Sequence, residues 1–352
     1  EVTLEEIQGF KGKYPKQIWW LFFTEMWERF AFYGMRGVLA IFMTQQLMFS
    51  DKEANLKYGA IQAFVYAFTF IGGLFADKIL GFKKSLFWGG MLMIVGSFIL
   101  AFSPKDLFFL GIAFTVIGTG FFKPNISTMV GSLYKDGDVR RDAGFGLFYT
   151  GINIGALLGG AACVAVASYS WNAAFSLAGF GMIIGLVLFI YTRKLMGPIG
   201  DSPLTKLPES TRKMREIFVY IGSLLAIPLI IIMVKNTAYT DIFMYTIGPL
   251  TLIYLIFEMR QFTAAENKKI VAALIFIFFS IIFWAFFEQS GGSLSLFAFN
   301  NLHHEILGIP ANPNGINNTA NSVFVIAFSA LLGLVWVWMA KKKIEPNTVI
   351  KF

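Results

Sequence analysis

Cysteine occurs once in the 352 residues, so no disulfide can form within the chain. That residue, Cys163, sits in the small apolar run Ala161-Ala162-Cys163-Val164-Ala165, where it reads as a packing residue. Histidine occurs twice, at the neighbouring positions His303 and His304 of a polar stretch, which excludes a histidine proton switch inside an apolar segment. Charge is scarce: Asp, Glu, Lys and Arg together make up 14% of the chain, too little for a water-facing globular surface. No P-loop, nucleophile elbow or metal-ligand spacing occurs, so neither an enzyme nor a bound metal is expected. The opening Glu1-Val2-Thr3-Leu4-Glu5-Glu6 lacks a basic stretch leading into a short apolar core, and no cleavable secretory signal is expected.

What the chain has in abundance is apolar surface. Hydrophobic residues make up 56% of it and phenylalanine alone occurs 40 times, which places the chain in a membrane. A helix needs about 20 mostly apolar residues to cross the hydrocarbon core. Segments of that length fall at roughly 17–43, 55–77, 83–102, 106–131, 142–168, 172–193, 216–235, 240–259, 268–299 and 316–340. The fold class is therefore an all-α integral membrane protein of about ten helices. Lys78, Lys83, Lys84, Lys135, Arg140, Arg141, Arg193, Lys194, Arg212, Lys213, Arg215, Arg260, Lys268, Lys269 and Lys341 to Lys343 all fall on alternate connections. The positive-inside rule makes those connections cytoplasmic, and with them both ends of the chain. The net charge of +8 follows from this anchoring, with lipid rather than nucleic acid as the partner. A Pro- and Gly-containing stretch from Gly197 to Ser210 reads as a hinge between two bundles.

The first span is the exception to its surroundings, because it carries Glu25, Glu28, Arg29 and Arg36. At 100° per residue Glu25, Arg29, Tyr33 and Arg36 fall within an arc of about 80°, with Glu28 about 60° beyond its edge. An unpaired charge in lipid costs several kcal/mol, so this stripe must face protein or water. Lys123 interrupts the fourth span just before Pro124, Asn153 the fifth, and Glu288 the ninth. A cavity holding both signs of charge suits a ligand with both an ammonium and a carboxylate: Arg36 and Lys123 for the carboxylate, Glu288 for the amine. Tyr33, Tyr66 and Trp284 offer apolar walls with polar tips.

Glu25-x-x-Glu28-Arg29-Phe30-x-Phe32-Tyr33 resembles the first-helix motif of the proton-dependent oligopeptide transporters of the major facilitator superfamily, with Phe32 in place of a tyrosine. Phe121-Phe122-Lys123-Pro124-Asn125, Phe148-Tyr149-x-x-Ile152-Asn153-x-Gly155 and Phe283-Trp284-x-x-Phe287-Glu288-Gln289 are similar to that family's fourth-, fifth- and seventh-helix signatures. The run from Gly72 to Lys84 resembles the superfamily's loop between helices two and three, which implies that Asp77, Lys83 and Lys84 brace helix ends. Thr319-Ala320-Asn321-Ser322 resembles the start of the eighth family helix, with Ser322 in place of a proline, and implies that Asn321 reaches a peptide.

The resemblance implies a major facilitator fold in a bacterial inner membrane: a six-helix N-terminal bundle over 1–196, a cytoplasmic linker over 197–215, two inserted helices over 216–260, and over 261–352 the first two helices of a C-terminal bundle left incomplete. Asn347 to Phe352 resembles the approach to a further helix, so a C-terminally truncated chain is expected. The implied activity is symport of di- and tripeptides with protons and without a cofactor. Glu25, Glu28, Arg29, Lys123 and Glu288 would serve proton coupling; Tyr33, Arg36, Tyr66, Lys123, Asn153, Trp284, Glu288 and Asn321 would serve peptide binding. Glu288 paired with Arg36 is the expected switch. A carrier of nitrate or another anion and a peptide-binding membrane receptor are the alternatives.

Overall fold

The computed structural model describes residues 2–344 and 346; Asn347 to Phe352, expected to lead into another helix, lie outside the described residues. A short helix, α1 (Leu4–Gln8), opens with a capping box in which Thr3 and Glu6 satisfy each other's backbone amides. Six long helices follow: α2 (Gln17–Gln45), α3 (Asp51–Phe75), α4 (Phe82–Phe102), α5 (Phe108–Ser132), α6 (Arg141–Ala167) and α7 (Trp171–Thr192). Then come α8 (Glu209–Lys235), α9 (Thr237–Glu258), α10 (Ala264–Phe287), α11 (Ser293–Asn301) and α12 (Pro313–Lys341). The strands β1 (Glu305–Ile306) and β2 (Ile309–Pro310) form a two-residue hairpin ahead of α12.

Among the described residues, eight helical segments, starting with the one from Asp51, are long and apolar enough to cross a membrane. The chain is a multi-pass membrane protein. Helix α2 is not among those eight, since its charges exceed what an unaided span tolerates, and it is instead largely enclosed: twenty of its residues, between Ile18 and Met43, are buried. It packs against α6 and α7, while α4 packs on α5 and α7 and α3 on α5. The contact of α2 with α6 is close because Gly155 and Gly159 carry no side chain there. A Cβ on either would come within 2.1–2.2 Å of the Met26 or Phe30 carbonyl oxygen. The outer surfaces of α9 and α10 keep large apolar side chains exposed, among them Ile253, Tyr254, Phe278 and Ile281, as lipid-facing helices do.

The ninth expected span, 268–299, is not one helix. It ends at Phe287, passes through a 3-10 turn at Glu288–Gly291, and resumes as α11, with Gly292 at φ −110° and ψ −105°. Two adjacent glycines supply the backbone freedom for this break, and the break leaves Glu288 where regular helix stops. By contrast α12 runs unbroken through Ser322, as expected where no proline occurs.

At the face bearing the Lys- and Arg-rich connections, the loop between α5 and α6 is held to the N-terminal segment. The Arg140 guanidinium lies 3.9 Å from the Phe10 ring and donates to the Phe10 and Gly12 carbonyls at 3.1 Å. Hydrogen bonds from the same guanidinium hold the Asp138 carboxyl down to about 2.

Candidate functional site

Two charged clusters lie along α2. In the first, Arg29 serves two carboxylates of its own helix: Nη2 lies 2.6 Å from Glu28 Oε1, Nε also bonds Glu28, and Nε lies 3.1 Å from Glu25 Oε1. All three side chains are at most 2% exposed. The guanidinium also lies 5.0 Å from the Phe32 ring, the position where the resemblance led one to expect a tyrosine. Among the described residues Glu25 Oε2 is buried with no hydrogen-bond partner, so this cluster keeps one free acceptor.

The second cluster joins distant parts of the chain. Arg36 Nη2 lies 2.8 Å from Glu288 Oε2, and Arg36 Nε donates to the Tyr58 hydroxyl oxygen at 2.6 Å. The Tyr66 hydroxyl donates to the other Glu288 oxygen at 3.1 Å. Gly291 permits this approach: a Cβ there would lie 2.0 Å from the Tyr58 hydroxyl and 2.9 Å from Arg36 Nε. Tyr33 lies between the clusters, with Arg36 Cζ 5.5 Å and Arg29 Cζ 6.0 Å from its ring centroid. Lys123 extends from α5 with its ammonium 4.7 Å from the Tyr66 ring, within electrostatic reach of Glu25, Glu28, Arg29 and Glu288. It directly precedes Pro124, which has no amide proton to donate yet lies within the unbroken α5; beside it Asn125 donates to the Phe121 carbonyl at 2.7 Å.

A cleft of about 640 Å³ opens beside Glu288, lined by Tyr58, Gln62, Tyr66, Trp284 and Gln289 among others. Volume of this order admits a small ligand, and the wall combines aromatic faces with a carboxylate and hydroxyls. The arrangement therefore brings together Tyr33, Arg36, Tyr66, Lys123, Trp284 and Glu288. Asn153 and Asn321 are not part of it. Asn153 is buried and donates to the Tyr149 carbonyl of its own helix at 2.9 Å, and Asn321 is exposed on α12.

Asp77, Lys83 and Lys84 were expected to brace helix ends. After Phe75 the helix widens into a π turn at Ala76–Leu80; Asp77, on that turn, is exposed and forms no ion pair among the described residues. The two lysines brace other carboxylates: Lys83 lies 2.7 Å from Asp201 and Lys84 2.6 Å from Glu216. Four contributors escaped sequence reasoning: Tyr58, Ser290, Asn314 and Asn317. Tyr58 precedes Tyr66 by eight residues, a spacing that puts both toward one side of α3, and that periodicity was the available signal. The asparagines stood in plain view as the run from Asn312 to Asn321, but nothing in their spacing names their partners.

Among known proteins, the POT family model matches residues 83–352. The dipeptide and tripeptide permease B of Aeromonas hydrophila is 30% identical over 96% of this chain and 67% of its own length. That of Xenorhabdus bovienii is 32% identical over 96% and 69%. A crystal structure of a POT peptide transporter in complex with sulfate superposes with a TM-score of 0.80 at 32% identity, over 99% of this chain and 74% of that one. Another POT family transporter, bound to 5-aminolevulinic acid, gives 0.79 at 29% identity over 96% and 73%.

Proposed function

The chain belongs to the POT family, and from that membership we propose that it is a symporter importing di- and tripeptides with protons, two helical bundles rocking about the cleft beside Glu288. The observation that carries this reading is the Arg36–Glu288 pair: 2.8 Å across elements 252 residues apart, within the membrane part of the fold. A charge pair of this kind is held together only while Glu288 is ionised. A proton arriving on Glu288 removes its charge and releases Arg36, whose guanidinium can then bind a peptide carboxylate in the bidentate manner that suits it. Release of the proton restores the pair and expels the carboxylate. Lys123 adds a second cation toward the same carboxylate, and the walls formed by Tyr33, Tyr66 and Trp284 accept side chains without strong discrimination. Glu25 and Glu28, held by Arg29, form a second station for the proton, and the oxygen of Glu25 that lacks a partner is the place to receive it.

The permeases named above support peptides as substrate, and the bound 5-aminolevulinic acid of a relative has the ammonium and carboxylate that such a site must hold. Under this reading, residues 1–196 form one bundle, 197–215 a cytoplasmic linker, 216–260 an inserted pair and the described residues from 261 onward part of the second bundle, in a bacterial inner membrane with the Lys- and Arg-rich connections cytoplasmic. A proton is the only co-substrate and no cofactor takes part. The test is uptake of a labelled dipeptide into proteoliposomes with and without an inward proton gradient. Accumulation above equilibrium that an ionophore abolishes is the expected result. Uptake that merely equilibrates, or binding with no uptake, would reject symport.

A further inference from the structure

Besides the Arg36–Glu288 pair, a second polar contact crosses the same turn of α2, one residue further on. Asn314 Nδ2 donates to the Gly37 carbonyl oxygen at 2.9 Å, and Asn314 is 2% exposed. Asn318 Nδ2 donates to Asn314 Oδ1 at 2.8 Å and lies 3.5 Å from the same Gly37 oxygen. The first of these contacts orients the Asn314 amide, since it leaves the Asn314 nitrogen as the group facing α2. Asn312 fixes the start of α12 beneath them, its Oδ1 accepting from the backbone amides of Asn314 and Gly315 at 3.0 and 3.3 Å. On the other side Asn317 Nδ2 donates to the Ser290 carbonyl at 2.7 Å, which ties α12 to the turn that carries Glu288.

We propose that Asn314, positioned by Asn318, is an uncharged latch in series with the Arg36–Glu288 pair, holding α12 against α2 when the carboxylate has taken its proton. This rests on the reading that α2 and α12 belong to bundles that separate. An amide and a carbonyl keep their hydrogen bond whatever the state of Glu288, so protonation alone does not part the helices. Opening requires that this bond also be exchanged for water, and the residue therefore sets how rarely the Lys- and Arg-poor side opens. The cavity next to it, about 340 Å³ between α2, α6 and the start of α12, includes Gln45, Ser168, His304 and Asn312, so water has polar groups to meet there once the latch parts.

The experiment places spin labels at Met48 and Leu307, which are 81% and 98% exposed on the two sides of this contact, in a Cys163→Ser background of the full chain in lipid nanodiscs. Pulsed-EPR distance distributions are compared in a Glu288→Gln background, which mimics the protonated carboxylate, for the otherwise unchanged parent, Asn314→Ala, Asn314→Asp and Asn318→Ala. A longer-distance population should appear in both Asn314 variants and, to a smaller extent, in Asn318→Ala, with thermal stability retained. Distances that match the parent in folded Asn314 variants would overturn the proposal. Should both Asn314 variants fail to fold, an unchanged distribution in Asn318→Ala would overturn it equally. The readout needs no peptide flux, so it separates failure of the latch from failure of the transport reading.

Discussion

The two charged clusters of α2 lie two to three turns apart and differ in where their partners come from. Arg29 finds Glu25 and Glu28 within its own helix, so that pairing is complete whether or not the rest of the protein moves. Arg36 finds Glu288 more than 250 residues away, so that pairing exists only while α2 and the end of α10 are together. A local cluster can hold charge at membrane depth; only the distant one can report, or control, the separation of two bundles. The first is then a matter of folding as much as of transport, and the second chiefly of transport.

The strongest way to break this comparison is Arg29→Ala. Two buried carboxylates would lose their cation, and removing one partner of a buried ion pair costs about 3–5 kcal/mol. The expected outcome is loss of the monodisperse peak in detergent size-exclusion chromatography. A well-folded Arg29→Ala protein would show that the local cluster does not carry the fold. Next in size is Arg36→Lys, which keeps the charge but cannot serve Tyr58 and Glu288 from one planar group. Here the protein should remain folded while gradient-driven dipeptide uptake falls about tenfold or more, equivalent to ~1.4 kcal/mol.

Tyr66→Phe sharpens the picture by removing one hydrogen bond from Glu288 and leaving the ring under Lys123 in place. A net hydrogen bond of ~1 kcal/mol corresponds to about a fivefold change, expected in the uptake rate and not in melting temperature. Smallest is Lys84→Ala. Its pair with Glu216 has a lysine side chain 43% exposed, and pairs of that kind contribute about 0–1 kcal/mol. Uptake should stay at the parent level, and an effect as large as that of Arg36→Lys would mean that the lysine brace is itself part of the gate.

Much of this contrast was legible in the sequence. The stripe of Glu25, Arg29, Tyr33 and Arg36 follows from helical spacing alone, and the scarcity of buried charge made Lys123 and Glu288 conspicuous. The membrane spans followed from apolar length, with boundaries displaced by only a few residues for most helices. What could not be read was mostly non-local. No periodicity links Tyr58 to Arg36, or Asn314 to a backbone carbonyl on α2, because those partners are set by how helices dock. The break after Phe287 did have a local signal, the polar and glycine-containing run Glu288-Gln289-Ser290-Gly291-Gly292-Ser293, which the long apolar stretches flanking it led to being read as part of one span. The π turn that carries Asp77, and the partners of Lys83 and Lys84, were likewise not visible in composition.

The account depends most on Glu288 as the proton-responsive partner of Arg36, and Glu288→Gln in proteoliposomes tests it directly. The account predicts that labelled dipeptide still exchanges across the membrane but no longer accumulates above equilibrium under an inward proton gradient. Accumulation at the parent level by Glu288→Gln would contradict it.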